Sequence, residues 1–240
     1  MSNRILIVGG SAGGASAATR LRRLDEHAEI IMFERGDYIS FANCGLPYYI
    51  GGTIKNRDSL LVQTVDAMKS RFNIDVRIGS EVIDVVTGNK KVTVKSSSEG
   101  TYEEAYDYLV LSPGGKPIKP NIPGINSDKV FTLRNIPDTD AIKDFIETKA
   151  VSSAVVVGGG FIGAEMAENL KSKGLNVSVV EALPHILAPF DPDIVVTVEK
   201  ELEKNGVGLV LGDGVKAFID TGNQINVILS SGKTLTADMV

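Results

Sequence analysis

The chain has 240 residues and a formal net charge of −5, from 25 Lys and Arg residues against 30 Asp and Glu residues. This acidic balance argues against nucleic acid and against anionic membranes as partners, because both attract basic surfaces. The apolar run at residues 5–8 is far shorter than the ~18 residues of a membrane span, and no segment resembles a signal peptide. One cysteine and two histidines exclude an internal disulfide and argue against a metal site. We therefore expect a protein of the reducing cytoplasm.

The first elements have the order strand, glycine-rich turn, helix and strand. An apolar strand over 4–8 leads into the turn Gly-Gly-Ser-Ala-Gly-Gly at 9–14, and a helix and a second strand follow. Such a turn lets the backbone approach a pyrophosphate at a helix N-terminus. Ser11 replaces the middle glycine of the usual Gly-x-Gly-x-x-Gly pattern, but Glu34 follows Gly14 by 20 residues, the distance at which an acid binds ribose hydroxyls. The pattern predicts a dinucleotide site.

A second copy of this arrangement begins at residue 154. Its turn has glycines at all three pattern positions, and Glu181 follows the last of them by 18 residues. That carboxylate would repel a 2′-phosphate, so we expect this turn to prefer NADH to NADPH. The alternative is that the glycines serve only helix–strand packing, but packing alone would not require an acid at both places. The three glycines are Gly158, Gly160 and Gly163.

Each copy continues into three shorter strands, which the turn residues between them separate, and helices fit residues 59–72, 141–148 and 194–204. The sequence therefore predicts an α/β protein with two Rossmann-like three-layer nucleotide-binding domains, each with a parallel sheet and a β-meander. The proline-rich stretch 117–123 is the best linker, which gives a first domain at 1–118 and a second at 119–240. Because the second copy stops inside its last strand, we expect the chain to be part of a longer protein.

The lone cysteine, Cys44, lies in a loop punctuated by Gly and Pro, shortly after the first ribose-binding acid. A lone cysteine is often a small buried apolar residue, and that alternative stays open at this point. The loop leads into a predicted helix, however, and a helix N-terminus favours the thiolate form. The fold would place the loop beside the first dinucleotide, where a thiolate next to an oxidised flavin can relay electrons.

The double turn and the segment Ser-Phe-Ala-Asn-Cys-Gly-Leu-Pro-Tyr at 40–48 resemble the flavin-dependent pyridine nucleotide–disulfide oxidoreductases. The segment is similar to their single-cysteine branch, typified by coenzyme A disulfide reductase. The resemblance implies FAD in the first domain, NAD(P)H in the second and a homodimer in the full-length protein. Relatives with a CxxC or CxxxxC pair keep both redox sulfurs in the protein, whereas the position five beyond Cys44 in this chain is Tyr49. The resemblance therefore implies Cys44 as the catalytic residue and a CoA disulfide or persulfide as the substrate.

The resemblance also assigns cofactor contacts. Phe161 occupies the place of an aromatic lid over the nicotinamide side of the flavin, with packing in the core as its alternative. Arg134 is implied to approach the flavin. The implied FAD contacts are Gly9, Gly10, Ser11, Ala12, Gly13, Gly14, Glu34, Arg35, Asn43, Val82, Ser112, Pro113, Gly114 and Arg134. The implied NAD(P)H contacts are Gly158, Gly160, Phe161, Ile162, Gly163 and Glu181.

The substrate contacts that the resemblance implies include two arginines on one face of the first helix, whose charge suits CoA phosphates. A solvated basic face is their alternative. NADH oxidases and peroxidases of the same branch cycle the cysteine through sulfenic acid and resemble one another in a histidine inside the first turn, where this chain has Ala12. We therefore favour disulfide chemistry, with an oxidase or peroxidase, or a non-catalytic nucleotide-binding fragment, as alternatives. The implied substrate contacts are Ser16, Arg20, Arg23, Ser40 and Asn43.

Overall fold

The computed structural model describes residues 3–240, which form two compact units. Unit 1 contains the residues up to Ala42 together with Asp58–Lys116, and unit 2 contains Asn43–Arg57 together with Pro117–Val240. The second division falls two residues before the predicted boundary at 118, and the short segment Asn43–Arg57 groups with unit 2 although unit 1 surrounds it in the sequence. Within the described residues, no helix combines the length and the apolarity that a membrane crossing requires.

Thirteen strands and six α-helices are assigned within residues 3–240. The strands are β1 (Arg4–Val8), β2 (Glu29–Phe33), β3 (Asp75–Arg77), β4 (Ser80–Val86), β5 (Lys91–Ser96), β6 (Gly100–Ala105), β7 (Tyr108–Leu111), β8 (Ser153–Val157), β9 (Asn176–Glu181), β10 (Gly208–Leu211), β11 (Val215–Asp220), β12 (Ile225–Leu229) and β13 (Thr234–Ala237). The helices are α1 (Ala12–Leu24), α2 (Leu46–Gly51), α3 (Val65–Phe72), α4 (Ile136–Thr148), α5 (Phe161–Ser172) and α6 (Pro192–Lys204).

Unit 1 has a parallel sheet of order β3-β2-β1-β7 and an antiparallel meander, β4-β5-β6. The apolar residues 5–7 of β1 are buried on both faces of the sheet, and their side chains alternate between two clusters. Ile5 and Ile7 pack with Ala15 and Ala18 of α1, whereas Leu6 packs with Val92 and other meander residues. The sheet is therefore the middle one of three layers, as the sequence predicts.

Unit 2 repeats this design with a parallel sheet of order β10-β9-β8 and the meander β11-β12-β13. Along β9, Val179 packs in the helix-side cluster and Val180 in the meander-side cluster. After β13, Met239 forms a parallel bridge with Ala154 of β8. This bridge is the counterpart in unit 2 of the pairing between β7 and β1 in unit 1. The predicted α/β fold with two Rossmann-like units, each with a parallel sheet and a meander, is confirmed.

Candidate functional site

The first glycine-rich turn has a backbone that only glycine fits at two places. Gly9 has a φ of +97°, and a Cβ on it would overlap the carbonyl oxygen of Ser112. A Cβ on Gly14 would overlap the carbonyl oxygen of Gly9, because α1 packs closely against the end of β1. These two glycines therefore bring the start of α1 and the chain at Ser112 close together.

Glu34 at the end of β2 holds the same turn. Its Oε2 accepts a 2.8 Å hydrogen bond from the N–H of Gly10, and its Oε1 accepts one of 2.8 Å from Gly36. The carboxylate is only partly buried, and its remaining lone pairs can still accept hydrogen bonds from a ribose. The residue that spacing predicts for ribose binding thus also fixes the geometry of its own turn.

A recess of about 90 Å³ adjoins this turn in unit 1. Five residues implied as FAD contacts line it, so the structure brings together parts of the chain that are far apart in sequence. Ser80 and Glu81 also line it and were missed in the sequence, although they directly precede Val82 at the start of β4. The five are Gly9, Glu34, Arg35, Val82 and Pro113.

The N-terminus of α1 is open to a ligand. Ser11 is its N-cap in extended backbone, Ala12 and Gly13 are exposed, and no acidic residue lies in the first turn. A Cβ on Gly13 would lie 3.3 Å from the hydroxyl oxygen of Ser112, which places that side chain beside the helix start. Exposed N–H donors at a helix N-terminus suit a pyrophosphate, so this turn and the recess fit an adenine dinucleotide such as FAD.

The residues implied for substrate binding lie in part on α1. Ser16, Arg20 and Arg23 are all exposed, and their spacing of four and three residues places them on one face of the helix. Ser40 lies beside the first turn, because its N–H donates a 2.9 Å hydrogen bond to the carbonyl of Gly10. Its φ of +43° is unusual for a residue other than glycine.

The second turn has the same geometry as the first. Gly158 has a φ of +101°, and a Cβ on Gly163 would overlap the Gly158 carbonyl oxygen. Glu181 accepts a 2.6 Å hydrogen bond from the N–H of Gly159 and one of 2.8 Å from that of Leu183. Gly160, the N-cap of α5, has open space where a Cβ would point, so the backbone there is accessible to a ligand.

An apolar cavity of about 770 Å³ adjoins the second turn in unit 2. Phe161 is 54% exposed at the start of α5, and its ring lies edge-on to that of Phe190 with centroids 5.7 Å apart. This exposure contradicts the alternative of core packing for Phe161. Five of the six implied NAD(P)H contacts line the cavity: Gly158, Gly160, Phe161, Ile162 and Gly163.

Cys44 is exposed, which contradicts the alternative of a small buried apolar residue. It lies in a short 3₁₀ turn, Asn43–Gly45, directly before α2, so the helix predicted after it is present. Asn43 accepts a 3.4 Å hydrogen bond from the guanidinium of Arg134, just before the N-cap of α4. The three residues Asn43, Cys44 and Arg134, to which the resemblance gives functional roles, therefore all lie in unit 2.

Tyr48 lies one helical turn beyond Cys44 and was not singled out in the sequence. The negative charge of Glu165 on α5, followed by burial and by the charges of Glu168 and Cys44, raises the pKa of the Tyr48 phenol. The phenol therefore stays protonated at neutral pH. Its spacing of four residues from Cys44, which lies directly before α2, was the available signal.

Comparison with known proteins gives a consistent family. The family model for pyridine nucleotide-disulphide oxidoreductases matches residues 3–240. A relative named NADH oxidase from Methanocaldococcus jannaschii is 36% identical over 99% of this chain and 53% of its own length. One named coenzyme A disulfide reductase from Staphylococcus aureus (strain JH9) is 38% identical with the same two coverages.

A solved structure described as reduced Bacillus anthracis CoADR-RHD matches this fold with a TM-score of 0.95 at 52% identity. The match covers all of this chain and 43% of the solved one. The chain spans about half the length of the curated relatives it matches.

Proposed function

The chain belongs to the pyridine nucleotide-disulphide oxidoreductase family, and on this premise we propose that it is the nucleotide-binding part of a flavoprotein disulfide reductase. NADH supplies the electrons, Cys44 is the redox-active residue, and a CoA disulfide or persulfide is the substrate. The observation that carries the proposal is an exposed thiol before a helix in a chain with a single cysteine. The chain has no second cysteine, and we propose that the partner sulfur comes from the substrate.

The cysteine chemistry is thiol–disulfide exchange. The Cys44 thiolate attacks one sulfur of the CoA disulfide, which forms a Cys44–CoA mixed disulfide and releases one CoA thiolate. Two electrons from NADH then break the mixed disulfide, regenerate the Cys44 thiolate and release the second CoA thiolate. The sum is one CoA disulfide, one NADH and one proton converted to two CoA thiols and NAD⁺. The FAD that the first turn fits would supply the two-electron transfer between NADH and sulfur.

Both glycine-rich turns contribute binding residues. At the first turn, Gly9–Gly14 and the N-terminus of α1 would hold the FAD pyrophosphate, and Glu34 would hold the ribose. At the second turn, Glu181 would bind the NADH ribose hydroxyls with the lone pairs that Gly159 and Leu183 leave open. Its negative charge would disfavour the 2′-phosphate of NADPH. Phe161, exposed at this turn, would be the aromatic lid.

The remaining contacts follow the same proposal. Arg134 would approach the flavin, and Ser112, Pro113 and Gly114 would contact it where the chain leaves unit 1. The exposed arginines Arg20 and Arg23 would bind CoA phosphates, with Ser16, Ser40 and Asn43 as polar partners. The relatives named coenzyme A disulfide reductase favour this substrate. We propose a cytoplasmic homodimer for the full-length protein.

A second candidate is an NADH oxidase that cycles Cys44 through sulfenic acid, and a relative of that name favours it. Against it, the position where such enzymes are expected to have a histidine is Ala12, exposed at the start of α1. The third candidate is a nucleotide-binding fragment without catalysis.

The test is an anaerobic titration of the purified protein with NADH, followed by addition of CoA disulfide. We expect a yellow protein whose flavin absorbance is lost on reduction and restored by the disulfide. Cys44→Ser should retain FAD and lose disulfide turnover, whereas Ala42→Ser, a hydroxyl placed nearby in the same loop, should retain both. Full disulfide turnover by Cys44→Ser would overturn the assignment, and consumption of oxygen instead of disulfide would favour the oxidase. A protein that binds nucleotide without turnover would favour the third candidate.

A further inference from the structure

Helix α2, which follows Cys44, packs closely on α5, the helix that begins at the second turn. Their contact is at Gly51 and Asn169. A Cβ on Gly51 would overlap the side-chain oxygen of Asn169 and lie 2.8 Å from its Cβ and 2.9 Å from its Cγ. Asn169 is only 3% exposed, and its amide nitrogen donates a 2.8 Å hydrogen bond to the carbonyl of Glu165. The buried amide cannot turn away without losing that bond, so Gly51 is the residue that permits the close approach.

Three further contacts hold the same segment within unit 2. Ile50 is fully buried in the helix-side core cluster. The ammonium of Lys143 on α4 lies 4.7 Å from the centroid of the Tyr49 ring. At the end of the segment, Arg57 donates to both carboxylate oxygens of Asp140, with Nη2–Oδ2 at 2.6 Å and Nε–Oδ1 at 2.9 Å. The segment is therefore anchored at its middle and at its end, and at its start Asn43, next to Cys44, accepts the hydrogen bond from Arg134.

The length of α2 makes the Gly51 contact important for Cys44. A six-residue helix is about 9 Å long, so a displacement at its last residue moves its first turn as well. Tyr48 lies midway, within the electrostatic reach of Glu165 and Cys44. The face of α5 that α2 covers carries Glu165 and Asn169, four residues apart.

We propose that Gly51 and Asn169 are positioning residues for Cys44. Their contact fixes how α2 lies on α5, and thereby sets the position and the reactivity of the thiol directly before α2. This inference rests on the proposed function, because it takes Cys44 as the redox-active residue.

The experiment measures alkylation of Cys44 by iodoacetamide across a range of pH in the purified protein. The thiolate sulfur bonds to the reagent's methylene carbon and iodide leaves, so the reaction needs neither a cofactor nor disulfide turnover. Because the chain has one cysteine, the added mass reports on Cys44 alone. Gly51→Ala should change the rate by about threefold or more and move the midpoint of the pH profile. Gly88→Ala is the matched control, since its Cβ would meet open space.

A second substitution separates positioning from damage to the fold. Asn169→Gly removes the side chain that would overlap the Cβ introduced by Gly51→Ala. The double variant G51A/N169G should therefore return the alkylation rate and its pH profile toward those of the wild type. Asn169→Ala, which deletes the amide without crowding, should change the rate if Gly51→Ala does not fold. A wild-type profile in every folded variant, or a double variant no closer to the wild type than Gly51→Ala, would overturn the proposal. Absent disulfide turnover with the expected alkylation pattern would overturn the proposed function alone.

Discussion

Glu181 accepts a 2.6 Å hydrogen bond from the backbone N–H of Gly159, and its second oxygen accepts one from Leu183. Glu34 makes the equivalent pair of bonds with Gly10 and Gly36. Each acid thus closes the loop that it is also proposed to use for a ligand. A substitution of either acid removes both the hydrogen bonds that close the loop and the proposed ligand contact. Its effects on stability and on ligand binding must therefore be measured separately.

Glu181→Ala should lower the free energy of unfolding by about 1–3 kcal/mol, because two backbone N–H groups lose a charged acceptor. It should also weaken NADH binding more than NADPH binding, since the repulsion of the 2′-phosphate disappears. Denaturant unfolding and fluorescence titration with each nucleotide measure the two effects. Glu203→Ala, an exposed glutamate on α6, is the control and should leave both unchanged. An unchanged ratio of NADH to NADPH affinity would contradict the selectivity proposed for Glu181.

Gly9→Ala should abolish FAD binding. The substitution combines a positive φ with an overlap onto the Ser112 carbonyl, so the turn cannot keep its shape. Gly100→Ala is a matched control, because Gly100 has a φ of +78° and open space around its Cβ position. The control should lose about 1–2 kcal/mol from the unfavourable φ alone and still bind FAD. Flavin absorbance of the purified variants, with unfolding curves, tests this, and equal flavin content in the two variants would count against the site.

Asp238→Asn should destabilise unit 2 at neutral pH and have less effect in acid. Burial alone would raise the pKa of Asp238, but hydrogen bonds from Gln224, Ser152 and Ser153 outweigh it and hold that pKa well below its usual range. A carboxyl whose folded pKa is depressed stabilises the fold fully above its unfolded pKa of about 3.9, and this stabilisation is lost as the pH falls through the folded pKa.

The measurement for Asp238 is the difference in urea midpoint between wild type and Asp238→Asn, taken from pH 7 down to about pH 3. The difference should be largest at pH 7 and shrink below about pH 4. Asp144→Asn, at an exposed position on α4, should give a small difference at every pH. A difference for Asp238→Asn that does not vary with pH would contradict the ionic role of this carboxylate.

Arg20→Gln and Arg23→Gln should each raise the KM for CoA disulfide by about tenfold, because each removes a charged hydrogen-bond donor of about 1.5 kcal/mol from a phosphate. The KM for a small disulfide without phosphates should stay unchanged. Arg71→Gln removes an exposed arginine from α3 of the same unit and controls for net charge. If all three variants have the same KM for CoA disulfide, Arg20 and Arg23 form a solvated basic face of α1 and do not bind the substrate.

Much of the fold could be predicted from local patterns. Apolar residues fill most of β1 and β8, and each of these strands is followed directly by a glycine-rich turn, a pairing that indicates the fold by itself. The acids Glu34 and Glu181 could be placed by counting residues from the glycines. These signals are local in sequence, and tertiary contacts change them little.

Other elements depend on contacts that are distant in sequence. A single helix was predicted over 59–72, but Leu61 pairs with Phe41 in extended backbone, and α3 begins only after Thr64, whose hydroxyl accepts from the N–H of Ala67. Helix α4 begins at Ile136, five residues before the predicted start, because Asn135 and Asp138 form a capping box. The contact between Gly51 and Asn169 joins residues 118 positions apart, which no periodicity or spacing reports.

The assignment of Asn43–Arg57 to unit 2 limits how the chain can be divided into separately folding fragments. The backbone passes between the units three times, after Ala42, after Arg57 and after Lys116, so the linker at 117–123 is not a place where the protein can be split into two autonomous halves. A separately expressed 117–240 fragment would lack α2, and Ile50 would be missing from its core. Fragment complementation would therefore require a circularly permuted or grafted copy of residues 43–57 on the second fragment.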